Sequence, residues 1–369
     1  MRVFLFGALF FLVPAQTDAL PSKEDSSVLH VDTSVVADHK RSEFFLSSKT
    51  WMGIEGKIAA KERPERRKNK KEKHISKPRR KSRKKFTSPK KVEIEDVIQH
   101  LDASQTLADR LRLVSDAFIG APYASSPLGE GSGQDADPRM RFDAFDCTTF
   151  VETAMAMSMS NSLGESEELI DVIRYQSSEI LFENRRHFPA AEWLPQLTKL
   201  GFLSDITREI AGDETVVEKK VLNAKVWEKR KKPTVLELPN ERIPDGIFAL
   251  EVWPLDLARK RQLEIPPGTL LNLVRVDFKR IPVRVSHQGL VIKKSGALYM
   301  RHAADRMYHS VVDEPLDHFL HRMQQYRKWP VRGIHLSRIQ VPDDLPRLLQ
   351  NKKGSEEHPE KDSCEARKE

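Results

Sequence analysis

At 369 residues the chain exceeds one average domain, and its 39% apolar and 31% charged residues exclude a protein embedded throughout in a membrane. Two cysteines, Cys147 and Cys364, exclude a disulfide-built scaffold and a cysteine-rich zinc module. Of the net charge of +8, residues 57–91 supply 18 Lys and Arg against 3 Glu, a net +15 that leaves −7 elsewhere. The protein is therefore a mildly acidic body with one basic segment, and the total charge does not mark it as a nucleic-acid binder.

The chain opens with Arg2, an apolar run from Val3 to Val13, and small residues at Ala15 and Ala19. This is the pattern of a secretory signal peptide over residues 1–19, too short to span a bilayer, and it predicts export to the periplasm, cell envelope or exterior. Residues 20–91 read as a disordered, strongly basic linker, because Lys61 to Lys91 holds almost nothing apolar to offset the entropy of ordering. Such a segment serves either as attraction to an anionic envelope polymer or as a solvated tether. Helical spacing begins near Val92, with Val97 and Leu101, then Leu107, Leu111, Val114 and Phe118, and stops at Gly120 and Pro122. A Gly/Ser-rich loop (125–138) precedes a helix from Cys147 with Phe150, Ala154 and Met157 on one stripe, and a further helix is expected over 165–183. Residues 214–263 are lysine-rich and look like an insertion. Three β-branched, apolar runs, 268–276, 283–292 and 297–304, read as antiparallel strands, the last two joined by a tight turn at Lys293–Gly296. The expectation is an α+β fold with N-terminal helices packed on an antiparallel sheet, one catalytic domain over 92–342, and a charged, frayed tail over 343–369.

Asp146 is a good helix N-cap, which places Cys147 in the first turn, where unpaired N–H groups and the helix dipole favour a thiolate. The same N–H groups suit an oxyanion. A nucleophilic cysteine needs a base and an orienting group. His287 sits mid-strand with Gly289 on its face, and pairing through the turn near Lys294–Gly296 sets His302 across from it. A small buried cysteine and two structural histidines remain the alternative at this level.

The string Phe142-Asp143-Ala144-Phe145-Asp146-Cys147-Thr148-Thr149-Phe150-Val151-Glu152, with Gly120-Ala121-Pro122-Tyr123 before it and Arg185-Arg186-His187-Phe188, Trp193 and Asp205-Ile206-Thr207 after it, resembles one family. It is the N-acetylmuramoyl-L-alanine amidase-like family, formerly of unknown function, within the NlpC-type papain-like cysteine peptidases. The resemblance covers about Val92 to Asp343. It implies a papain-like NlpC-type core with Cys147 as nucleophile, His287 as general base and His302 as orienting residue, with Tyr123 and His187 binding substrate. Three positions depart from the family pattern: Arg186 replaces Asn, Gln288 replaces the Val of His-Val-Gly, and Ala304 replaces the Ser of His-Ala-Ser. The implied function is an exported cysteine amidase cutting the N-acetylmuramoyl-L-alanine bond of muropeptides. A γ-D-glutamyl-diamino acid endopeptidase and a noncatalytic cell-wall or polyanion-binding protein are the alternatives. The expected partners are peptidoglycan fragments and, through the linker, an anionic polymer. No specific nucleic acid, metal or other cofactor is called for, and the chain is expected to be a monomer. Cys364 is expected to be a free exposed thiol.

Overall fold

The structure, a computed structural model, describes residues 86–356 apart from 103, 229–237 and 280. The expected signal peptide, nearly all of the expected linker and Cys364 lie outside the described residues. In chain order the helices are α1 (Lys91–Gln99), α2 (Leu107–Asp116), α3 (Cys147–Met159), α4 (Leu163–Arg174), α5 (Leu194–Lys199), α6 (Thr207–Ala211), α7 (Ala224–Glu228), α8 (Leu255–Lys260), α9 (Leu316–Met323) and α10 (Leu345–Glu356). The strands are β1 (Leu203–Asp205), β2 (Val216–Leu222), β3 (Gly246–Pro254), β4 (Thr269–Arg275), β5 (Val285–Lys294), β6 (Ala297–Ala304), β7 (Ser310–Pro315) and β8 (Val331–Ile339).

All pairings are antiparallel, in the order β2-β3-β8-β4-β5-β6-β7, with β1 on β8. Alternation along each strand sends side chains to two separate cores. On one face Leu270, Val274, Leu290, Ile292 and Ala303 meet α1 to α4. On the other, Leu271, Leu273, Val291 and Met300 meet α8 and α9. With both faces covered, every residue of β4 is buried, which is why its apolar residues fall on both faces rather than alternating with polar ones. Helix α3 is buried along its whole length except Thr148, and packs on β5 and β6.

Four expectations are corrected. The helix expected over 165–183 ends at Arg174, because Tyr175 turns extended and forms a bridge with Arg185. Residues 214–263 are no insertion: they contain β2 and β3, which extend the sheet edge, with Lys219 of β2 exposed and Lys220 buried against Asp277 (2.7 Å). The stretch after Asp343 is not frayed throughout, since α10 follows it and Leu345 is buried against the core. The β5–β6 turn is shorter than assumed, with Lys294 paired to Ala297 around Ser295 and Gly296, both at positive φ. That moves the register by two residues. Leu290 pairs with Arg301, so His302 falls opposite Gly289 and diagonal to His287.

Candidate active site

The turn into α3 is built by Asp146. Its Oδ1 accepts from the Thr149 amide (2.8 Å) and hydroxyl (2.9 Å), its backbone N–H donates to Thr149 Oγ1 (3.0 Å), and its Oδ2 accepts from the Ser126 amide (3.0 Å). Burial raises the Asp146 carboxyl above its ordinary range despite those bonds. Cys147 is the first residue of α3 and only 2% exposed. The next residue ties the helix to the sheet: Thr148 Oγ1 donates to Gln288 Oε1 (2.8 Å), and Gln288 Nε2 donates to Asn272 Oδ1 of β4 (2.7 Å). Gln288, where the resemblance expects Val, thus clamps the cysteine helix to β5.

Along β5, His287 takes the face opposite Gln288. His287 Nε2 lies 2.7 Å from His302 Nδ1, with the rings perpendicular and Phe319 of α9 beside both. This diagonal contact needs Gly289. A Cβ there would meet Met300 Cε at 2.6 Å, the Arg301 carbonyl at 2.7 Å and His302 Cβ at 2.9 Å. Beyond His302 stands a carboxylate that the sequence reading missed. His302 Nε2 is 3.3 Å from Glu314 Oε2, and Glu314 in turn receives Arg322 Nη2 (2.6 Å) and Nε (3.0 Å) and His318 Nδ1 (2.7 Å). Burial alone would raise the Glu314 carboxyl, but hydrogen bonds from His302 and Arg322 outweigh it and hold the group at about 2.

An ionised Glu314 fixes the tautomers. It only accepts, so neutral His302 presents Nε2–H to it and leaves Nδ1 to accept from His287 Nε2–H. His287 Nδ1 is then the nitrogen available as a base. Burial first, then the adjacent His302 ring and the positive charges of Arg322 and Arg275, push His287 well below its usual value, so it is neutral at neutral pH.

The structure joins His287 to His302 on the α8–α9 face of the sheet. The first turn of α3 meets β5 on the opposite face, through Thr148 and Gln288, so the expected nucleophile and base are not brought into contact. Tyr123 lies beside the approach to Cys147: its backbone bridges Phe145 and its amide donates to the His309 carbonyl (3.0 Å). His187 does not join the histidine pair. It lines a pocket on the far side of the α3 turn, shared with Ser126, Thr148, Glu152, Arg174 and Trp193. Its Nε2–H donates to the Phe182 carbonyl (2.6 Å), and burial followed by the Arg185 charge lowers it to about 3, making it a neutral wall. Glu152 in this pocket is pulled up to about 7 because burial outweighs Arg174, whose Nε is 3.2 Å away. Glu314 had one signal in the sequence, the adjacent pairs Arg301-His302 and Asp313-Glu314 on neighbouring strands, legible only once the register is known.

A family model described as N-acetylmuramoyl-L-alanine amidase-like matches residues 113–326. Among solved structures, a Legionella pneumophila protein of family DUF1460 superposes with a TM-score of 0.60 at 23% identity, over 68% of this chain and 94% of that one. An N-acetylmuramoyl-L-alanine amidase from Bacteroides uniformis superposes with a TM-score of 0.51 at 19% identity, over 64% of this chain and 99% of that one. At these identities the likeness is one of fold. No curated protein matches the chain.

Proposed function

Because the chain belongs to the N-acetylmuramoyl-L-alanine amidase-like family, we propose that it is an exported cysteine amidase that hydrolyses the amide between N-acetylmuramic acid and L-alanine in peptidoglycan fragments, on an NlpC-type papain-like core. The observation that carries this reading is the capped first turn of α3, in which Asp146 sets Cys147 at the head of a buried helix. The Glu314–His302–His287 chain lies one strand position away, on the other face of β5.

In this reading His287 Nδ1 takes the thiol proton as Cys147 Sγ attacks the amide carbonyl, and N–H groups of the α3 first turn stabilise the oxyanion. The proton transfer requires the α3 turn and the His287 ring to be brought together from opposite faces of β5. The imidazolium returns the proton to the leaving amine as the C–N bond breaks and a thioester remains. Water, losing a proton to His287, adds to the thioester; the C–S bond breaks and the carboxylic acid and thiol are released. A depressed His287 favours a resting neutral pair over a preformed thiolate–imidazolium, and makes the protonated ring a strong acid toward the amine. Glu314 stabilises the positive charge that passes through the two rings.

Export is supported by the N-terminal signal pattern, and retention on an anionic envelope polymer by the net +15 of residues 57–91. The test is digestion of defined muropeptides with product masses read directly. Free stem peptide plus intact sugar supports the amidase; a sugar still carrying a dipeptide means the endopeptidase. Cleavage undiminished in Cys147→Ala overturns the cysteine mechanism. Deleting residues 57–91 should release the protein from isolated envelopes at lower salt.

A further inference from the structure

The pocket on the far side of the α3 turn contains buried positive charge that the protein does not fully pair. Arg174, at the end of α4 and 3% exposed, donates Nε to Glu152 Oε2 (3.2 Å) and Nη2 to the Leu128 carbonyl (3.2 Å), while its buried Nη1 has no partner. Arg186 donates Nη1 to the carbonyls of Val172 and Ile173, both at 2.8 Å, and its buried Nε likewise has no partner. Among the described residues no carboxylate forms an ion pair with Arg186. Its neighbour Arg185 shows the difference, being held by Glu130 (2.5 Å) and Asp135 (3.2 Å).

A buried guanidinium with an unmet N–H is costly, and the pocket's own carboxylates do not remove the cost. Asp146 is taken up by Thr149 and Ser126, and Glu152 by Arg174 and the Trp193 indole N–H at 3.0 Å. The pocket offers about 110 Å³ of space, room for several water-sized groups. Asp146, Thr148 and Thr149 line it too, so its occupant lies against the turn that carries Cys147. A carboxylate supplies what is missing: negative charge and acceptors that planar guanidinium groups match.

We propose that this pocket is a carboxylate-binding subsite in which Arg174 and Arg186 receive an acidic group of the stem peptide whose amide Cys147 attacks. The proposal rests on the amidase reading and names the substrate class it selects: peptides with a free carboxylate near the scissile bond, over their amidated counterparts. Arg186, standing where the family pattern carries Asn, makes the second cation a property of this chain. Two carboxylates qualify by chemistry, the α-carboxylate of a γ-linked glutamate and the peptide's own C-terminus.

Calorimetric titration of the Cys147→Ala protein with a muropeptide carrying γ-linked D-glutamate, and with the same compound amidated at the glutamate or at the C-terminus, tests this. One amidation should weaken binding about tenfold and identify the carboxylate that is read, and Arg186→Asn should narrow that ratio to about threefold or less. Arg174→Lys should narrow it as well; if that variant does not fold, Arg186→Asn alone decides. Equal dissociation constants for all three ligands, or a ratio that survives Arg186→Asn, overturn the subsite. Hydrolysis by the protein with Cys147 intact is scored separately. Cleavage of acid and amide forms with equal kcat/KM removes the subsite and keeps the amidase, whereas selective binding with no cleavage of any form keeps the subsite and removes the amidase.

Discussion

The two sides of the cysteine turn handle buried charge in opposite ways. On the histidine side the buried carboxylate is fully engaged: His302 and Glu314 are both 1% exposed, and Glu314 is closed off by Arg322 and His318. On the pocket side Arg174 and Arg186 keep unpaired N–H groups and Glu152 is only half able to compensate them. A closed network holds groups in one geometry, whereas an open one leaves capacity for something that arrives. One side sets the orientation of the base; the other is suited to receive substrate.

This contrast can be broken in order of effect. Replacing the base, His287→Asn, should lower kcat by about 10³-fold in steady-state muropeptide assays, with KM nearly unchanged, because the pocket is untouched. Loss confined to KM would erase the division of roles. Next, Glu314→Gln should lower kcat about 10–100-fold, since an amide can donate as well as accept and no longer enforces one His302 tautomer. The readout specific to positioning is the pH profile: the acid limb of kcat/KM should move, while Arg322→Lys, which keeps the charge, should move it less.

On the pocket side the effect is on stability. Glu152 titrates near 7 in the folded protein against 4.5 when unfolded, so the native state keeps a proton that the unfolded chain gives up. Its contribution is complete below the unfolded value and is lost as pH rises through 7. Chemical denaturation should therefore show a loss on the order of 1–2 kcal/mol between pH 5 and 8 that is absent in Glu152→Gln. Glu314 has the opposite sign. Held at about 2 against 4.5, it stabilises above 4.5 and loses that effect as acid takes the pH down through 2. The smallest expected effect comes from the clamp between the two sides: Gln288→Val should lower the melting temperature by about 3 °C and leave the acid limb of the pH profile in place.

What the sequence revealed about this molecule was local. Asp146 before Cys147 is a capping signal complete within four residues, and the structure bears it out in the bonds to Thr149. The apolar runs of β4, β5 and β6 were equally readable, because β-branched and apolar residues cluster between turn residues. Register was harder, since it depends on how many residues the turn consumes, and a two-residue turn at Ser295 and Gly296 moved His302 from opposite to diagonal. Strand β2 was hidden by its Glu218-Lys219-Lys220 run, in which Lys220 turns inward to pair with Asp277, so the polar residues do not alternate cleanly with the apolar ones. Glu314 was not legible before the register was known, and Arg322 gave no signal. Their roles arise from α9 folding back over β6 and β7, a packing that no short window contains.

Strand β8 has a consequence for how the protein is made. It is the last strand of the chain, yet it lies between β3 and β4 in the middle of the sheet, and its other contacts include β1. Until the ribosome has passed Ile339, β3 and β4 have no common neighbour and the sheet stays in two parts. Pairings that span such separations form late and slowly. A chain cut before Val331 should therefore fail to join β2 and β3 to the rest of the sheet.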